Sequence, residues 1–360
     1  KISILAGTLA RLDRAAPNYG SNTFNDFNTF YIQAASSTSG GSSGSPVVDI
    51  RGRVVGLNAG SKRRAASSYY LPLHRVERAL SLLQEGKPVP RGTLQTVFVH
   101  RPFDEARRLG LTEEVEAEVR KASPDETGML VVKEIVPRGP AFDLLETGDV
   151  LVRVNGELTT GFASLEATLD SSIGKSVHLT VERGGSLQAL EVPVMDLHSI
   201  TPSSYVEFGG GILNDLSYQQ ARNHAQPVGG VYVASSGYSM TIAGMGSGSV
   251  IQSVGETPVG DILDFAKAIG SIPDGEHVPL RYVTLADPRR SQVAAVQIDR
   301  KWFPFRHCVR NDALGTWPCE AIETTAELSV VEPVSATLYQ QGDRVTRTLS
   351  RSLVMVDFIN

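Results

Sequence analysis

The stretch that decides the fold of this chain is Gly40-Gly41-Ser42-Ser43-Gly44-Ser45-Pro46-Val47-Val48. It lies between a predicted strand at Tyr31–Ala35 and a predicted hairpin at Val47–Leu57. A serine hydroxyl is a weak nucleophile at neutral pH, so it needs a general base within reach and fixed amides that receive the oxyanion. With Ser43 as nucleophile, its own N–H and that of Gly41 converge on one oxygen, because glycine allows the backbone angles that this requires. The stretch therefore predicts a nucleophile loop.

Two registers of this serine loop imply different folds. The letters Gly40-Gly41-Ser42-Ser43-Gly44 also satisfy G-x-S-x-G, in which Ser42 would be the nucleophile of an α/β-hydrolase and a helix would come next. The next residues are instead two short β-branched runs around Arg51-Gly52-Arg53, which predict a hairpin. A surface linker rich in serine and glycine is a third reading. The hairpin favours Ser43 and a β-barrel, because linkers are rarely followed directly by a patterned strand pair.

Further strings extend the serine loop in both directions. They are Lys1–Asp13, Asn25–Tyr31, Gly56-Leu57-Asn58 and Tyr70-Leu71-Pro72-Leu73. With the loop, they resemble the end of the protease domain in the HtrA/Deg family of trypsin-like serine proteases, and most closely its double-length fungal and plant members. The resemblance implies a serine endopeptidase of protein quality control or regulated proteolysis. It also implies that Asn58, Ala59 and Gly60 pair with an extended substrate, and that Ser61–Tyr69 borders the specificity pocket.

The histidine of a catalytic triad is missing upstream of the serine. Trypsin-like enzymes place histidine and aspartate before the serine, yet no histidine precedes Ser43. Asp13 and Asp26 do precede it and are interpreted as polar loop residues. His74 would suit another hydrolase order, but it falls at the start of a helix predicted from apolar Leu73, Val76, Leu80 and Leu83. The resemblance implies that both partners belong to an N-terminal half outside these residues, so that this chain is an internal fragment and inactive alone.

Composition narrows the classes of partner. The chain has 360 residues, 41% of them hydrophobic and 20% charged, which fits two or three globular domains. A formal charge of -5 gives no reason to expect nucleic acid as a partner. No apolar run approaches the ~20 residues of a spanning helix. The seven histidines are scattered singly, so neither a metal nor another cofactor is expected.

Two cysteines, Cys308 and Cys319, are too few for a disulfide framework. They lie near Trp302 and Trp317 and their spacing permits a pair, but two isolated cysteines suit a reducing compartment equally well. We therefore predict free, structural thiols.

A second kind of module is predicted from residue 91 to residue 196, joined to the first part by the short linker Gly86–Gly92. Arg91-Gly92-Thr93-Leu94 and the strand-turn string Gly148–Gly156 are similar to the PDZ domains of the HtrA arrangement. PDZ domains bind an extended peptide at a sheet edge and its terminal carboxylate at backbone amides. The resemblance places this groove between a strand at Thr93–Val97 and a helix with apolar residues at i, i+3 and i+7. The predicted groove residues are Thr93, Leu94, Gln95, Thr96, Phe162, Leu165 and Leu169; the last three also suit a helix that packs inward.

A repeat indicates a further module at residues 199–300. The string Gly148–Glu157 recurs as Gly248–Glu256 with one deletion, and the helix and strand after it recur as well. This second copy has Ser249 in place of Asp149, and Tyr205–Gly211 in place of the usual loop, so its ability to bind a C-terminus is doubtful. Residues 301–345 are predicted to be a linker, flexible over 321–345. Residues 346–360 resemble the start of a second, degenerate protease-like domain, with a strand at Ser352–Phe358.

The sequence thus predicts a mainly β chain with α+β modules: the C-terminal part of a trypsin-like barrel over residues 1–85, two tandem PDZ-like domains, and a C-terminal linker and strand. The expected partners are unfolded or extended polypeptides and protein C-termini, with a homo-oligomer as the full-length state. The nucleus is favoured over the chloroplast as its compartment. The alternative function is a non-catalytic PDZ scaffold or regulatory protein.

Overall fold

The computed structural model describes residues 4–20, 24–36, 41–62, 67–324 and 342–350. The first part is one antiparallel sheet followed by a helix, with the strand order β1-β2-β5-β4-β3. Its elements are β1 (Thr8–Ala15), β2 (Phe30–Ala35), β3 (Pro46–Val48), β4 (Val54–Lys62), β5 (Ser67–Pro72) and α1 (Leu73–Gln84). The helix predicted from its apolar spacing is therefore confirmed.

The predicted hairpin is the β3–β4 pair, in which Pro46 lies opposite Leu57. Its turn is built from local chemistry. The Asp49 carboxylate accepts hydrogen bonds from the backbone N–H of Arg51 at 2.8 Å and of Arg53 at 3.0 Å, and Gly52 adopts a positive φ of 77°. This part of the fold is thus specified by residues that are close in sequence.

The next module, from residue 91 to residue 196, is a five-strand path in the order β12-β11-β9-β8-β7, with β10 paired to β9 and a separate β6–β13 pair. Alternate residues of β8 enter two cores. Leu130 and Val132 pack beneath α4, whereas Met129 and Val131 pack against α2 and α3. The elements are β6 (Gly92–Thr93), β7 (Thr96–Pro102), α2 (Phe103–Arg108), α3 (Glu113–Ala122), β8 (Gly128–Ile135), β9 (Val150–Val154), β10 (Glu157–Leu158), α4 (Phe162–Ser171), β11 (Ser176–Arg183), β12 (Ser186–Pro193) and β13 (Met195–Asp196).

The second such module repeats this order as β20-β19-β17-β16-β15, with β18 paired to β17. Its sheet then continues through three more strands, β14, β21 and β22. The elements are β14 (Ser204–Phe208), β15 (Gly211–Asp215), α5 (Tyr218–Asn223), β16 (Val231–Ser235), α6 (Ser239–Ile242), β17 (Ser249–Val254), β18 (Thr257–Pro258), α7 (Ile262–Gly270), β19 (His277–Thr284), β20 (Asp287–Gln297), β21 (Arg306–Val309) and β22 (Cys319–Ala321). The shared order shows that the sequence repeat is a structural repeat.

The prediction of free thiols is wrong, because Cys308 and Cys319 form a disulfide. The two residues lie directly opposite each other in the β21–β22 pair, with 4.0 Å between their Cα atoms. The sequence spacing did not reveal this, since the pairing depends on a hairpin that residues 306–321 form on the edge of the second module.

The described part of the C-terminal region contains two strands and a helix. Residues 306–309 and 319–321 are strands, so the predicted linker begins with ordered structure. Residues 344–350 form a helix, α8 (Arg344–Ser350), where the start of a further protease-like domain was predicted. The predicted strand at Ser352–Phe358 lies outside the described residues. Among the helices of the described residues, none is both long enough and apolar enough to cross a bilayer.

Candidate functional site

The serine loop is fastened to the strand β4 by backbone hydrogen bonds. The Gly44 N–H donates to the Asn58 carbonyl at 2.7 Å, and the Asn58 N–H donates to the Ser45 carbonyl at 2.9 Å. Within the loop, the Ser45 N–H donates to the Ser42 carbonyl at 3.1 Å. These bonds hold Ser43 at the exposed tip of a turn whose two ends are fixed.

The side chain of Asn58 adds a second anchor. This residue is 5% exposed, and its amide nitrogen donates to both the carbonyl and the hydroxyl oxygen of Ser42, each at 3.0 Å. Ser42 is half-buried whereas Ser43 is exposed. The loop thus directs Ser42 towards the protein and leaves the Ser43 side chain at the surface.

Two glycines of the loop have positive φ angles. Gly41 and Gly44 have φ of 90° and 81°, values that side-chain-bearing residues rarely adopt. Strand β3 comes directly after the loop, so the helix that the Ser42 register requires is absent from this described segment. The α/β-hydrolase alternative is therefore wrong. The roles of Ser43 as nucleophile and of the Gly41 N–H in the oxyanion hole stay predictions.

The titratable residues around the first sheet have local partners. His74 is the second residue of α1, and its ring centroid lies 5.8 Å from that of Phe30. Asp26 accepts a hydrogen bond of 3.0 Å from the Tyr31 hydroxyl. Asp13 pairs with Arg11 at 2.6 Å, and this hydrogen bond lowers the pKa of the Asp13 carboxyl. Asp26 lies outside the strands, as predicted, whereas Asp13 lies within β1 and not in a loop.

Asn58 is the first residue of the predicted substrate strand, and it is also the residue that anchors the serine loop. Since Asn58 already uses its N–H and C=O on the loop, pairing with a substrate would fall on Ala59 and Gly60. Within the described residues, no strand pairs with β4 beyond Leu57 on the β3 side. A Cβ atom on Gly60 would lie 2.8 Å from the Tyr19 hydroxyl. The lack of a side chain at Gly60 therefore allows the Tyr19 hydroxyl to lie against the backbone of β4. Residues 63–66 of the predicted specificity loop lie outside the described residues.

The predicted groove residues of the first module meet around its edge strand. Leu94, Phe162, Leu165 and Leu169 belong to one buried cluster, so their side chains form part of the core of the module, and their role in a peptide groove stays a prediction. The backbone turns sharply at Gln95, whose φ is 53°, and its N–H donates to the Thr93 hydroxyl at 2.9 Å. Thr96 then begins β7, the last strand in the order of its sheet. The predicted strand at Thr93–Val97 is therefore broken by this turn.

The second module differs at the corresponding edge. Its strand β15 is paired on the outer side by β14, with Val206 opposite Leu213 and Phe208 opposite Gly211. Gly209 and Gly210 connect the two strands with φ of 55° and 75°, which suits a two-residue hairpin turn. Phe208 is buried with its ring centroid 5.5 Å from that of Phe265 in α7. A strand of the chain itself thus covers this edge, which the sequence did not predict.

The replacement of Asp149 by Ser249 also has a structural basis. The fully buried Asp149 carboxylate receives two hydrogen bonds from Arg183, at 2.7 and 2.8 Å. Ser249 instead donates to the Gly246 carbonyl at 2.8 Å. Asp149 thus binds an arginine of β11, whereas Ser249 bonds to the backbone of its own turn.

Comparisons with known proteins agree with this architecture. The model of the trypsin-like peptidase domain matches residues 1–57, and that of the PDZ-like domain matches residues 199–275. Protease Do-like 7 of Arabidopsis thaliana is 49% identical over 342 residues, which cover 91% of this chain and 31% of that protein. A pro-apoptotic serine protease of Aspergillus terreus is 51% identical over 319 residues, 88% of this chain and 31% of that protein. The chain thus spans about a third of the length of these relatives.

Among solved structures, the HtrA-type protease AlgW with a decapeptide aligns with 54% of this chain and 56% of its own, at 21% identity and a TM-score of 0.35.

A trypsin-like peptidase part that carries a serine loop and is followed by a PDZ-like module is the domain order of HtrA-type proteins. The chain belongs to the HtrA/Deg family, with plant and fungal serine proteases as its homologues. The resemblance predicted from the serine loop is confirmed.

Proposed function

We propose that this chain carries the nucleophile of an HtrA/Deg-type serine endopeptidase, and that the nucleophile is Ser43. The observation that supports this most is the exposed Ser43 in a loop whose neighbour Ser42 is held by buried Asn58. In this mechanism a histidine removes the proton of the Ser43 hydroxyl, whose oxygen attacks the peptide carbonyl. The N–H groups of Gly41 and Ser43 receive the charge that develops on the carbonyl oxygen.

The general base and its aspartate are proposed to come from residues outside these 360. The reason is the order of the residues, since His74 packs in α1 and no histidine precedes Ser43. The chain alone is then expected to be inactive. This proposal extends to the whole protein, for which we infer a role in quality control or regulated proteolysis, a homo-oligomeric state and a nuclear rather than chloroplast location.

Peptide recognition is assigned to the first module. Its β7 is the edge strand of its sheet, and it starts next to the turn at Leu94 and Gln95, beside which a terminal carboxylate is proposed to bind. The second module has its equivalent strand paired by β14, so it is proposed to have a structural role. The expected ligands are extended polypeptides and protein C-termini.

A fluorophosphonate probe tests the catalytic proposal, because it reacts covalently with an activated serine. In the full-length protein we expect labelling of wild type and of Ser42→Ala but not of Ser43→Ala. The 360-residue chain is expected to remain unlabelled. Labelling of Ser43→Ala would reject the assignment, and a full-length wild type without labelling would favour the non-catalytic scaffold.

A further inference from the structure

A short segment before β2 lies between the two modules. We call residues 25–30 the docking segment; it leads directly into β2 of the first sheet. It contains two asparagines and two phenylalanines that contact residues far away in sequence. These contacts join the protease part to both modules.

Asn28 occupies the edge of the first module. Its side-chain nitrogen donates to the Thr96 carbonyl at 3.0 Å, and its side-chain oxygen accepts from the Phe98 N–H at 2.7 Å. The carbonyl of one residue and the N–H two residues further point to the same side of a strand, and they are the pair that an added strand would use. Since β7 pairs only with β8 among the described strands, the Asn28 amide takes the place of a peptide unit at the open edge. Asn28 has a φ of 50°, which asparagine tolerates better than most residues.

The second module holds the other end of the docking segment. The Phe27 ring lies edge-on to Tyr218 with 5.2 Å between the ring centroids, and the Arg222 guanidinium lies 4.7 Å from the centre of the Phe27 ring. Arg222 also donates to the Asn25 carbonyl, and it is only 8% exposed. These contacts in and beside α5 are desolvated, so they fix the path of the segment more firmly than surface contacts would.

Phe30, the last residue of the docking segment, contacts the core of the first module. It packs against the cluster that contains Leu94, Phe98 and Phe162, which border the predicted groove. Nearby, the Arg78 guanidinium of α1 lies 3.8 Å from the Asp170 carboxylate near the end of α4. The protease part therefore contacts both the strand and the helix between which a peptide would bind.

We propose that the docking segment is a built-in competitor for the peptide-binding edge of the first module, held there by Arg222 of the second module. A peptide that pairs with β7 needs the Thr96 carbonyl and the Phe98 N–H, and the peptide backbone and Asn28 cannot both bind these groups at the same time. This inference rests on the proposed function of the first module as a peptide-binding module. The apparent affinity for peptide is then the intrinsic affinity reduced by the fraction of molecules in which the segment is displaced.

The test measures peptide binding by the full-length protein in a Ser43→Ala background, which prevents cleavage of the probe. The probe is a fluorescein-labelled decapeptide that ends in Tyr-Val-Tyr-Val with a free carboxylate, and fluorescence anisotropy reports its binding. Asn28→Gly removes the amide and tolerates the positive φ. Asn28→Asp keeps the acceptor for Phe98 but places an oxygen against the Thr96 carbonyl. Asn155→Gly is the matched control, since Asn155 has a similar φ of 51° and lies in the β9–β10 turn.

We expect Asn28→Gly to bind the probe roughly tenfold more tightly than wild type, because both competing hydrogen bonds are lost. Asn28→Asp should tighten binding in the same direction, because the hydrogen bond to the Thr96 carbonyl is replaced by repulsion between two oxygens. Arg222→Lys keeps the charge but loses the planar contact with Phe27, and it should tighten binding in the same direction. Asn155→Gly should bind like wild type. Equal affinity of wild type and both Asn28 variants would overturn the competition while leaving peptide recognition intact.

Amide hydrogen exchange at Phe98 separates this failure from failure of the proposed function. The exchange should be faster in Asn28→Gly than in wild type, and added probe should slow it again. If exchange is faster in Asn28→Gly but no variant binds the probe, peptide recognition by the first module is rejected, and competition for it is rejected as well. An unchanged exchange rate would show that Asn28 does not occupy the edge and would overturn the inference directly.

Discussion

The Asn58 side-chain nitrogen donates to two oxygens of Ser42, the carbonyl and the hydroxyl, at 3.0 Å each. Because the residue is buried, these bonds are shielded from water and join the serine loop to β4 across the hairpin. Asn58→Ala should therefore lower the kcat/KM of the full-length protease on the order of tenfold to a hundredfold through misplacement of the loop. It should also lower the free energy of unfolding by about 1–3 kcal/mol.

The matched control for this change is Asn311→Ala, which removes a side-chain amide that accepts from the Leu314 N–H far along the chain. This control should leave kcat/KM unchanged. A normal kcat/KM in Asn58→Ala would mean that the loop holds its geometry without this residue.

Gly41→Ala tests the backbone of the proposed oxyanion hole. No atom of the described residues lies within 4 Å of a Cβ atom at Gly41, so the substitution collides with none of them, but the φ of 90° is unfavourable for alanine. An alanine in this backbone conformation would be strained by about 1–2 kcal/mol. Relief of this strain would rotate the peptide group at residue 41, and with it the N–H of the proposed oxyanion hole. We expect a large loss of kcat with little change in the melting temperature. Gly246→Ala, also in open space but without a positive φ, should behave like wild type in both measurements.

The buried pair of Asp149 and Arg183 predicts a strong effect on stability. Removal of the guanidinium in Arg183→Met leaves a carboxylate with no exposed surface and without its charged partner. We expect a loss of about 3–5 kcal/mol in urea unfolding. Arg310→Met breaks an exposed pair with Asp312 and should cost no more than about 1 kcal/mol. A similar cost for both variants would show that burial of Asp149 does not control the effect.

Asp215 predicts a dependence of stability on pH. Burial raises the pKa of its carboxyl above the ordinary value, and the Asp261 charge adds to this, while the hydrogen bond from the Ile262 N–H opposes it. Below the ordinary pKa, folded and unfolded states are both protonated. As the pH rises past that value, the unfolded state ionises first, so the folded state loses stability until the pH passes the raised pKa.

Asp215→Asn removes this loss and retains an acceptor for the Ile262 N–H. The stability of Asp215→Asn relative to wild type should therefore increase between about pH 3 and about pH 7 in urea titrations. A difference that is constant over this range, or that decreases, would contradict the raised pKa.

The Cys308–Cys319 disulfide predicts a change on reduction. It closes a short loop with a sequence separation of 11, and cross-linking of a loop of this size contributes roughly 2–3 kcal/mol by restricting the unfolded state. Under denaturing conditions, an alkylating reagent should add no mass before reduction and two groups after it. Cys308→Ser with Cys319→Ser should lower the melting temperature of the chain. Alkylation of both cysteines without prior reduction would show instead that they are free thiols, as the sequence predicted.

Local patterns predicted the elements whose specifying residues are close in sequence. The hairpin after the serine loop depends on Asp49 and Gly52 within one turn, and α1 depends on apolar spacing. The repeat of Gly148–Glu157 was visible in the sequence because both copies form the same buried strand followed by the same turn. The Ser43 register was inferred from the strand behind the loop, which excludes the helix of the other register.

The failures concern residues that meet only after folding. The disulfide depends on the β21–β22 pair, and closure of the second module depends on β14 returning against β15. Nothing in the local sequence marks Asn58 as the anchor of Ser42, since the two residues are 16 positions apart on either side of the hairpin.

The sequence by itself therefore determined the family, the serine loop with its hairpin, and the succession of a trypsin-like part and repeated modules. Periodicity, turn residues and extended motifs suffice for these features. The interactions that specify them are either local in sequence or belong to a motif that the sequence repeats. Only the tertiary structure decided which sheet edges remain open. An edge strand is closed when another group hydrogen-bonds to its outward-facing carbonyl and N–H groups. In the second module, β14 pairs with the edge strand β15. In the first module, the side-chain amide of Asn28, from a segment distant in sequence, bonds to β7.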